Sequence, residues 1–427
     1  MAKLKKKIKR LKSSIRKRVL GFVPQVLRIG KRALRRGTLR YGQPWFEKQF
    51  SDDADGLRAF ERELLAQKLF KDRPWLTPAV ERGPRCLAMP RFRDEQRLDL
   101  AAPRMNEATR LEVARQALLA AWEIFDKGYA HRDFQGENLF WVNGNLMVTD
   151  FETLEPYPPA DAPAFPESYD IVARGLTSTH SKGPIGYASD HSLALQRLLG
   201  VPFDRAIASV HDVLKEHLRE QSLTFKTAGE RHVVRAERIY GSFVLPYLTV
   251  AAEEAQRHSA RRLEKFGVGA ELLRGRRLLD LGCNCGAMLF EARQFQPAVS
   301  LGIEYDAEKI EVARAVARFN GLNNIEFRAG DVDALEPETV GGTYDVVFCL
   351  AINRHVKNPE RLYDFLGRIT ADTLFFEGNG GTSVEEVLQR LREAGFKTVD
   401  FIGMSDDDCL ANNNNRPGFV ARRRHVL

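Results

Sequence analysis

The chain has 427 residues, of which 44% are hydrophobic and 29% charged, with a formal net charge of +8. That length exceeds one ordinary domain, and the apolar content is enough for each of two or three domains to bury a core. Cys86, Cys283, Cys285, Cys349 and Cys409 form neither C-x-x-C pairs nor zinc spacing, no apolar run is long enough to span a bilayer, and no apolar core follows the basic N-terminus. Those absences exclude a disulfide framework, a structural zinc site, a membrane span and a secretory signal, and they predict a cytosolic protein.

The charge is unevenly placed. Residues 1–40 hold 16 Lys or Arg and no acid, and the remainder carries 49 basic against 57 acidic residues. Within residues 1–36, Leu4, Ile8, Leu11, Ile15, Val19 and Phe22 recur at helical spacing among Lys and Arg, up to Pro24. A basic amphipathic helix of this kind reads as an arm for an anionic membrane surface, where each cation contributes about 1 kcal/mol. This would place the chain peripherally on the cytosolic face of the inner membrane. A solvated tail and a nucleic-acid arm are the alternatives, although the arm lacks interleaved aromatics for base stacking.

Residues 37–215 carry the first chemical pattern. A strand over 44–50 holds Lys48, and a helix over 57–69 follows, with Leu57, Phe60, Leu64 and Leu69 on one side and Glu61 and Glu63 within it. A further helix over 112–127 leads into Tyr129-Ala130-His131-Arg132-Asp133, and Asn138 lies five residues later. Asn143-Gly144 between two apolar runs predicts a hairpin, and its second run ends in Asp150-Phe151. Phosphoryl transfer needs a carboxylate to orient the attacking hydroxyl, and oxygen ligands to hold magnesium on the nucleotide.

This constellation resembles the catalytic loop and metal motif of the protein-kinase-like fold, HRDxxxxN followed by DFG. The resemblance implies an α+β kinase-like domain binding ATP and Mg2+. Asp133 would then be the catalytic base, Asn138 and Asp150 the metal ligands, and Lys48 and Glu63 the nucleotide-positioning pair, with Glu61 the alternative acid. Leu87-Ala88-Met89-Pro90 would be the hinge, with Met89 beside adenine. The sequence departs from the pattern at Gly37–Gly42, where a GxGxxG loop is expected. It departs again at Glu152, where DFG has glycine, and at Gln135, where kinases of protein substrates carry lysine. The reduced frame is more similar to bacterial kinases of lipopolysaccharide core sugars.

Residues 216–270 read as a linker and cap, with Arg231, His232, Arg235 and Arg238 as either an anion site or a solvated basic face. From 271 to 427, seven apolar runs alternate with amphipathic helices, the last two runs without a helix between them, which predicts a mostly parallel sheet. The first strand ends in Asp280-Leu-Gly282-Cys-Asn284-Cys-Gly286, a turn at which backbone can approach a ligand. Glu304 closes the second strand and Asp331 follows the third.

These features resemble the α/β Rossmann-like class I S-adenosylmethionine-dependent methyltransferases, with Asn284 replacing one glycine of DxGxGxG. The resemblance implies cofactor binding by Asp280, Gly282, Asn284 and Gly286, ribose contacts by Glu304 and adenine contacts by Asp331. The loop after the fourth strand would face the methyl group, with His355 as a candidate base and Asn353 as an orienting group. Together the halves resemble the bifunctional kinase–methyltransferases that terminate bacterial O-antigen chains. That implies a glycan or lipid-linked sugar acceptor. A silent kinase-like scaffold on one methyltransferase, and an RNA methyltransferase with a basic arm, are the other readings. Oligomeric state is not legible in the sequence.

Overall fold

A computed structural model describes residues 45–156, 164–166, 198–222, 224–227, 230–233 and 237–423. The N-terminal arm, the Gly37–Gly42 segment and much of 157–197 lie outside the described residues, as do the side chains of Arg231, His232 and Arg235. Among the described residues no helix is long and apolar enough to cross a membrane. The chain divides into two compact units, 1–159 with 167–210, and 160–166 with 211–427.

The first unit opens with a three-stranded antiparallel sheet of β1 (Trp45–Gln49), β2 (Val80–Gly83) and β3 (Cys86–Pro90), with β3 central. Between β1 and β2 runs α1 (Ala54–Leu69), started by Asp53, whose carboxylate accepts the Gly56 amide at 2.8 Å. Such a cap satisfies a helix-end donor and stabilises the start by about 1 kcal/mol. The buried face of α1 is Gly56, Ala59, Phe60, Glu63 and Ala66. Leu57, expected on the packed side, is exposed, because the small residues allow close approach on the adjacent face. The 87–90 stretch is β3 strand rather than a free connection. Met89 pairs in register with Phe46 and is buried.

Helix α2 (Glu107–Asp126) begins five residues before the predicted start, capped by Asn106 onto the Thr109 amide. The hairpin forms β4 (Leu139–Val142) and β5 (Asn145–Val148), and both turn residues are left-handed, Asn143 at φ 51° and Gly144 at φ 84°. Two positive φ values in a two-residue loop match the twist of the flanking strands, which is why Asn-Gly is favoured there.

The second unit places short β6 (Ile239–Gly241) beside β7 (Ala255–Arg257), and α3 (Ser259–Lys265) follows. The main sheet then forms from β8 (Arg277–Leu281), β9 (Val299–Glu304), β10 (Ile325–Ala329), β11 (Tyr344–Leu350), β12 (Thr370–Glu377), β13 (Thr398–Met404) and β14 (Pro417–Arg422). Its order is β10-β9-β8-β11-β12-β14-β13, and β14 runs antiparallel to both its neighbours. Helices α4 (Ala287–Ala292), α5 (Ala307–Phe319), α6 (Pro359–Ile369) and α7 (Val384–Glu393) connect the strands. Leu279, Val347, Phe376, Phe365, Leu391 and Phe419 belong to one buried cluster. Near-continuous apolar strands are what a parallel sheet covered on both faces requires.

Arg257 is fully buried at the end of β7. Its guanidinium donates to both carboxylate oxygens of Glu377 at 2.9 and 3.2 Å, and to both of Asp407 at 2.9 and 2.8 Å. Removing one member of a buried ion network strands its partners without water. Arg257→Met is expected to destabilise this unit by about 3–5 kcal/mol, read from the denaturant midpoint of its unfolding transition. A loss below about 1 kcal/mol would show that Glu377 and Asp407 find other partners.

Candidate functional site

The first unit brings Glu63, Asp150 and Glu152 around Lys48, which is 5% exposed. Its ammonium donates to Glu63 at 2.7 Å, contacts the Asp150 carboxylate, and lies 3.2 Å from Glu152. Position 48 faces inward because β1 alternates, and Glu63 meets it from the inner face of α1. Glu61 points to solvent and is not part of the cluster. The surrounding carboxylates keep Lys48 charged, holding its pKa above the ordinary lysine value against the opposing cost of burial. Burial pushes Glu152 up to about 7, and Lys48 opposes that shift.

Asp150 itself has φ 66° and ψ 60°. This left-handed turn sends Phe151 into a cluster with Phe70, Trp75 and His131 while its own carboxylate faces Lys48. His131 is fully buried, its Nε2 lies 3.1 Å from the Thr149 carbonyl, and its Nδ1 accepts the Asp133 amide at 3.3 Å. Those partners fix a neutral tautomer, and burial lowers its pKa to about 4. Asp133 is aimed by two amides: Gln135 donates to Oδ1 and Asn138 to Oδ2, each at 2.8 Å. Gln135 was legible only as a departure from a pattern, and the structure gives it this orienting contact.

In the second unit, Asp280 ends β8 and the chain turns through Gly282 (φ 73°), Asn284 (φ 51°) and Gly286 (φ 86°). A Cβ on Gly282 would lie 2.3 Å from Ile352, and one on Gly286 would lie 2.6 Å from Phe327. Asparagine tolerates the left-handed conformation at 284 because its Oδ1 accepts the Cys285 amide at 2.7 Å. Glu304 accepts the Asn284 amide at 3.0 Å and the Asp306 amide at 3.2 Å, so it braces the turn from the end of β9. Asp331 caps the short helix after β10 by accepting the Asp333 amide at 3.0 Å. Cys283 and Cys285 are buried and their thiols are pushed upward by burial, which leaves them protonated packing groups.

Beside this turn lies a cavity lined in part by Tyr240, Arg257, Arg262, Asp280, Gly282 and Leu350. Sequence reading missed Tyr240, Arg257 and Arg262, which arrive from β6, β7 and α3 without any motif spacing. Arg262 is 4% exposed and donates to Glu377 at 3.1 Å. Its Nε has no hydrogen-bond partner among the described residues. Burial raises Asp280 to about 8, with Arg262 opposing and Glu304 adding to the shift. A glycine cradle, a buried acid and an unsatisfied guanidinium donor therefore share one cavity. They fit a zwitterionic amino-acid head.

Asn353 is held at both ends of its amide. Its Oδ1 accepts the Asn379 amide at 2.8 Å and its Nδ2 donates to Thr382 at 3.1 Å, so both ends tie the loop after β11 to the loop after β12. It positions the loop, and one N–H of the same amide is not used by these contacts. His355 lies on the exposed part of the same loop, and surrounding protein holds its pKa below the ordinary value.

The family described as "Methyltransferase domain" matches residues 272–402. The second unit is a class I S-adenosylmethionine-dependent methyltransferase domain. Curated relatives include the ubiquinone biosynthesis O-methyltransferases of Acinetobacter baumannii (strain AYE), 37% identical over 87 residues, and of Bordetella avium (strain 197N), 37% identical over 98 residues. The first alignment covers 20% of this chain and 36% of the relative, and the second covers 23% and 39%. The chain thus spans little more than a third of the length of those relatives. Among solved structures, EvdMO1 is 21% identical with a TM-score of 0.35 over 50% of this chain and 47% of its own. Magnesium protoporphyrin IX methyltransferase from Synechocystis PCC 6803 is 18% identical with a TM-score of 0.34 over 39% and 78%.

Because burial holds the Asp280 proton to about pH 8, and a ligand ammonium favours the ionised acid, cofactor binding is expected to release that proton. S-adenosylhomocysteine affinity is therefore expected to rise by up to about tenfold per pH unit below 8 and level off above it. Calorimetric titration at a series of pH values would show this. In Asp280→Asn the affinity should be weaker and lose the slope, whereas a flat wild-type profile would exclude proton release from Asp280.

Proposed function

We propose that the chain is a bifunctional enzyme: the first unit transfers the ATP γ-phosphoryl group to a hydroxyl of a cell-surface glycan or lipid-linked sugar, and the second methylates the same or a related acceptor. The observation that carries the first half is the buried Lys48 between Glu63 and Asp150, with Asp133 held by two amide donors nearby in sequence. Asp133 would accept the acceptor hydroxyl's proton, and Lys48 would meet nucleotide phosphates. Asn138 and Asp150 would hold magnesium, which would offset the charge of the phosphoryl group that ATP brings. For the metal, the fit rests on Asn138 Oδ1, a buried amide oxygen with no hydrogen-bond partner among the described residues.

In the second half S-adenosylmethionine supplies a sulfonium methyl. An acceptor oxygen donates the electron pair that forms the new C–O bond, and S-adenosylhomocysteine departs with the electrons of the broken C–S bond. Such displacement needs alignment more than acid–base help. A phosphate newly made by the first unit is already anionic and requires no strong base, so the exposed His355 is dispensable for that acceptor. The basic arm at 1–36 would keep the chain at an anionic membrane where lipid-linked sugars reside.

A second reading, a silent first unit holding an active methyltransferase, is favoured by the saturation of Lys48 with three carboxylates. Incubation with γ-labelled ATP, magnesium and a lipid-linked glycan extract separates the two. Labelling is expected for the wild-type chain, with a loss of at least about 100-fold in Asp133→Asn and unchanged S-adenosylhomocysteine binding. Methylation of the extract without ATP turnover would instead establish the silent unit.

A further inference from the structure

Glu377, at the carboxyl end of β12, is approached by three guanidinium groups. Arg257 donates to both of its oxygens, and Arg262 donates to Oε2 at 3.1 Å. Arg416, the residue before β14, comes no closer than 3.7 Å to Oε1, the oxygen that Arg257 already holds at 2.9 Å. The Arg416 guanidinium donates no hydrogen bond among the described residues. Its side chain is 13% exposed, against 1% for Arg257 and 4% for Arg262. Of the three, Arg416 therefore keeps its donors both unused and within reach of a ligand. A planar fork of N–H groups in this state matches the paired oxygens of a phosphate or a carboxylate.

Backbone contacts fix where this fork stands. The Ser405 amide donates to the Arg416 carbonyl at 2.8 Å, and the Arg416 amide donates to Ser405 Oγ at 3.2 Å. The Gly378 amide donates to the Pro417 carbonyl at 2.9 Å, so Arg416 is held beside the start of the loop after β12. That is the carboxyl end of the sheet, where ligands of such sheets bind. Burial holds the His355 pKa below its ordinary value, Glu304 opposes that shift, and the Arg416 charge adds to it, so Arg416 also acts on the loop after β11. The other two partners of Glu377, Arg257 and Arg262, line the cofactor cavity. The rim around Arg416 is basic in sequence: residues 351–358, 378–383 and 409–416 include Arg354, His355, Lys357 and Arg416 and no acid. The nearest acids along the chain are engaged elsewhere, Asp407 with Arg257, Asp408 with Gln256 and Asp406 with Arg261.

We infer that Arg416 binds an anionic oxygen group, a phosphate or a carboxylate, on the molecule that receives the methyl group. The inference rests on the methyltransferase half of the proposed function and names the chemistry of its acceptor. Two N–H donors of one guanidinium fix the orientation of an anion as well as its position, and direct displacement from a sulfonium needs that alignment. An acceptor seated in this way completes the hydrogen bonds that Glu377 leaves unmade.

The test uses the full chain saturated with S-adenosylhomocysteine and follows three small probes by ligand-observed nuclear magnetic resonance: phenyl phosphate, benzoate and the neutral benzyl alcohol. Wild type is expected to bind at least one of the two anions more tightly than the alcohol, and which anion is favoured tells a phosphorylated acceptor from a carboxylated one. Arg416→Gln is expected to bind that anion at least about tenfold more weakly while still binding S-adenosylhomocysteine. Arg416→Lys keeps the charge without the fork and is expected to fall between them; it carries the test if Arg416→Gln no longer holds S-adenosylhomocysteine. No anion binding in wild type, benzyl alcohol bound as tightly as the anions, or wild-type anion affinity in the variant would each overturn the inference. Phenyl phosphate held through Arg416 in a chain that never transfers phosphoryl groups from ATP would keep the subsite and reject the kinase half of the proposed function. ATP-dependent labelling of the glycan extract with anion binding indifferent to residue 416 would do the reverse.

Discussion

Lys48 and Arg257 are cations with almost no access to water, each surrounded by carboxylates that come from distant parts of its unit. A charge taken out of water is tolerated only when its partners are held in place, since solvent cannot compensate for a missing one. The folds meet that demand differently. In the first unit the acids come from a helix and from a left-handed turn after a hairpin. In the second they come from the end of β12 and from the loop between β13 and β14. Each cation thereby fixes the relative positions of the segments that build its site.

In the methyltransferase domain this fixing has a direct consequence for the cofactor cavity. Arg257 and Arg262 share Glu377 and Asp407, so the segment before the sheet is locked to the carboxyl end of β12. The carboxyl ends of the parallel strands are where ligands bind in such sheets. Arg262 Nε, 3.6 Å from Asp407, makes no hydrogen bond among the described residues, and its side chain shares the cavity with Asp280. Asn353 accepts the Asn379 amide and Asn379 accepts the Arg354 amide, so the neighbouring pair of loops, those after β11 and β12, is locked by the same principle with neutral groups. One rim of the site is thus rigid before any ligand arrives.

The sheet was legible because its strands are continuous apolar runs separated by helices of regular period, and because Asp280–Gly286 and Glu304 are local features of strand ends. The hairpin was legible from Asn143-Gly144, where turn chemistry acts over two residues. The residues lining the far side of the cofactor cavity were not. Arg257 and Arg262 owe their positions to pairings across 150 and 115 residues, with Asp407 and Glu377, and Tyr240 is placed by the pairing of β6 with β7. No spacing rule reports such distances. Glu377, a charged residue closing the apolar run Thr370–Glu377, was the one local signal that a buried counter-charge had to exist. Leu57 misled for a related reason: helical periodicity locates an apolar stripe, but the small residues Gly56 and Ala59 decided which side packs.

Glu152 shows how a departure from a pattern acquires meaning from backbone geometry. Glycine is required where φ is positive or where a neighbour leaves no room for Cβ. Here the positive φ falls on Asp150, and Glu152 lies in the short helix Phe151–Thr153 without one. The position therefore accepts a side chain at no backbone cost. What it accepts is a carboxyl group, buried beside two others that already outnumber the one lysine present. Packing alone would favour an apolar residue there, since removing an acid from water is unfavourable unless it gains a partner. Glu152 meets that cost in two ways: Lys48 lies 3.2 Å away, and burial lets the carboxyl hold its proton up to about pH 7.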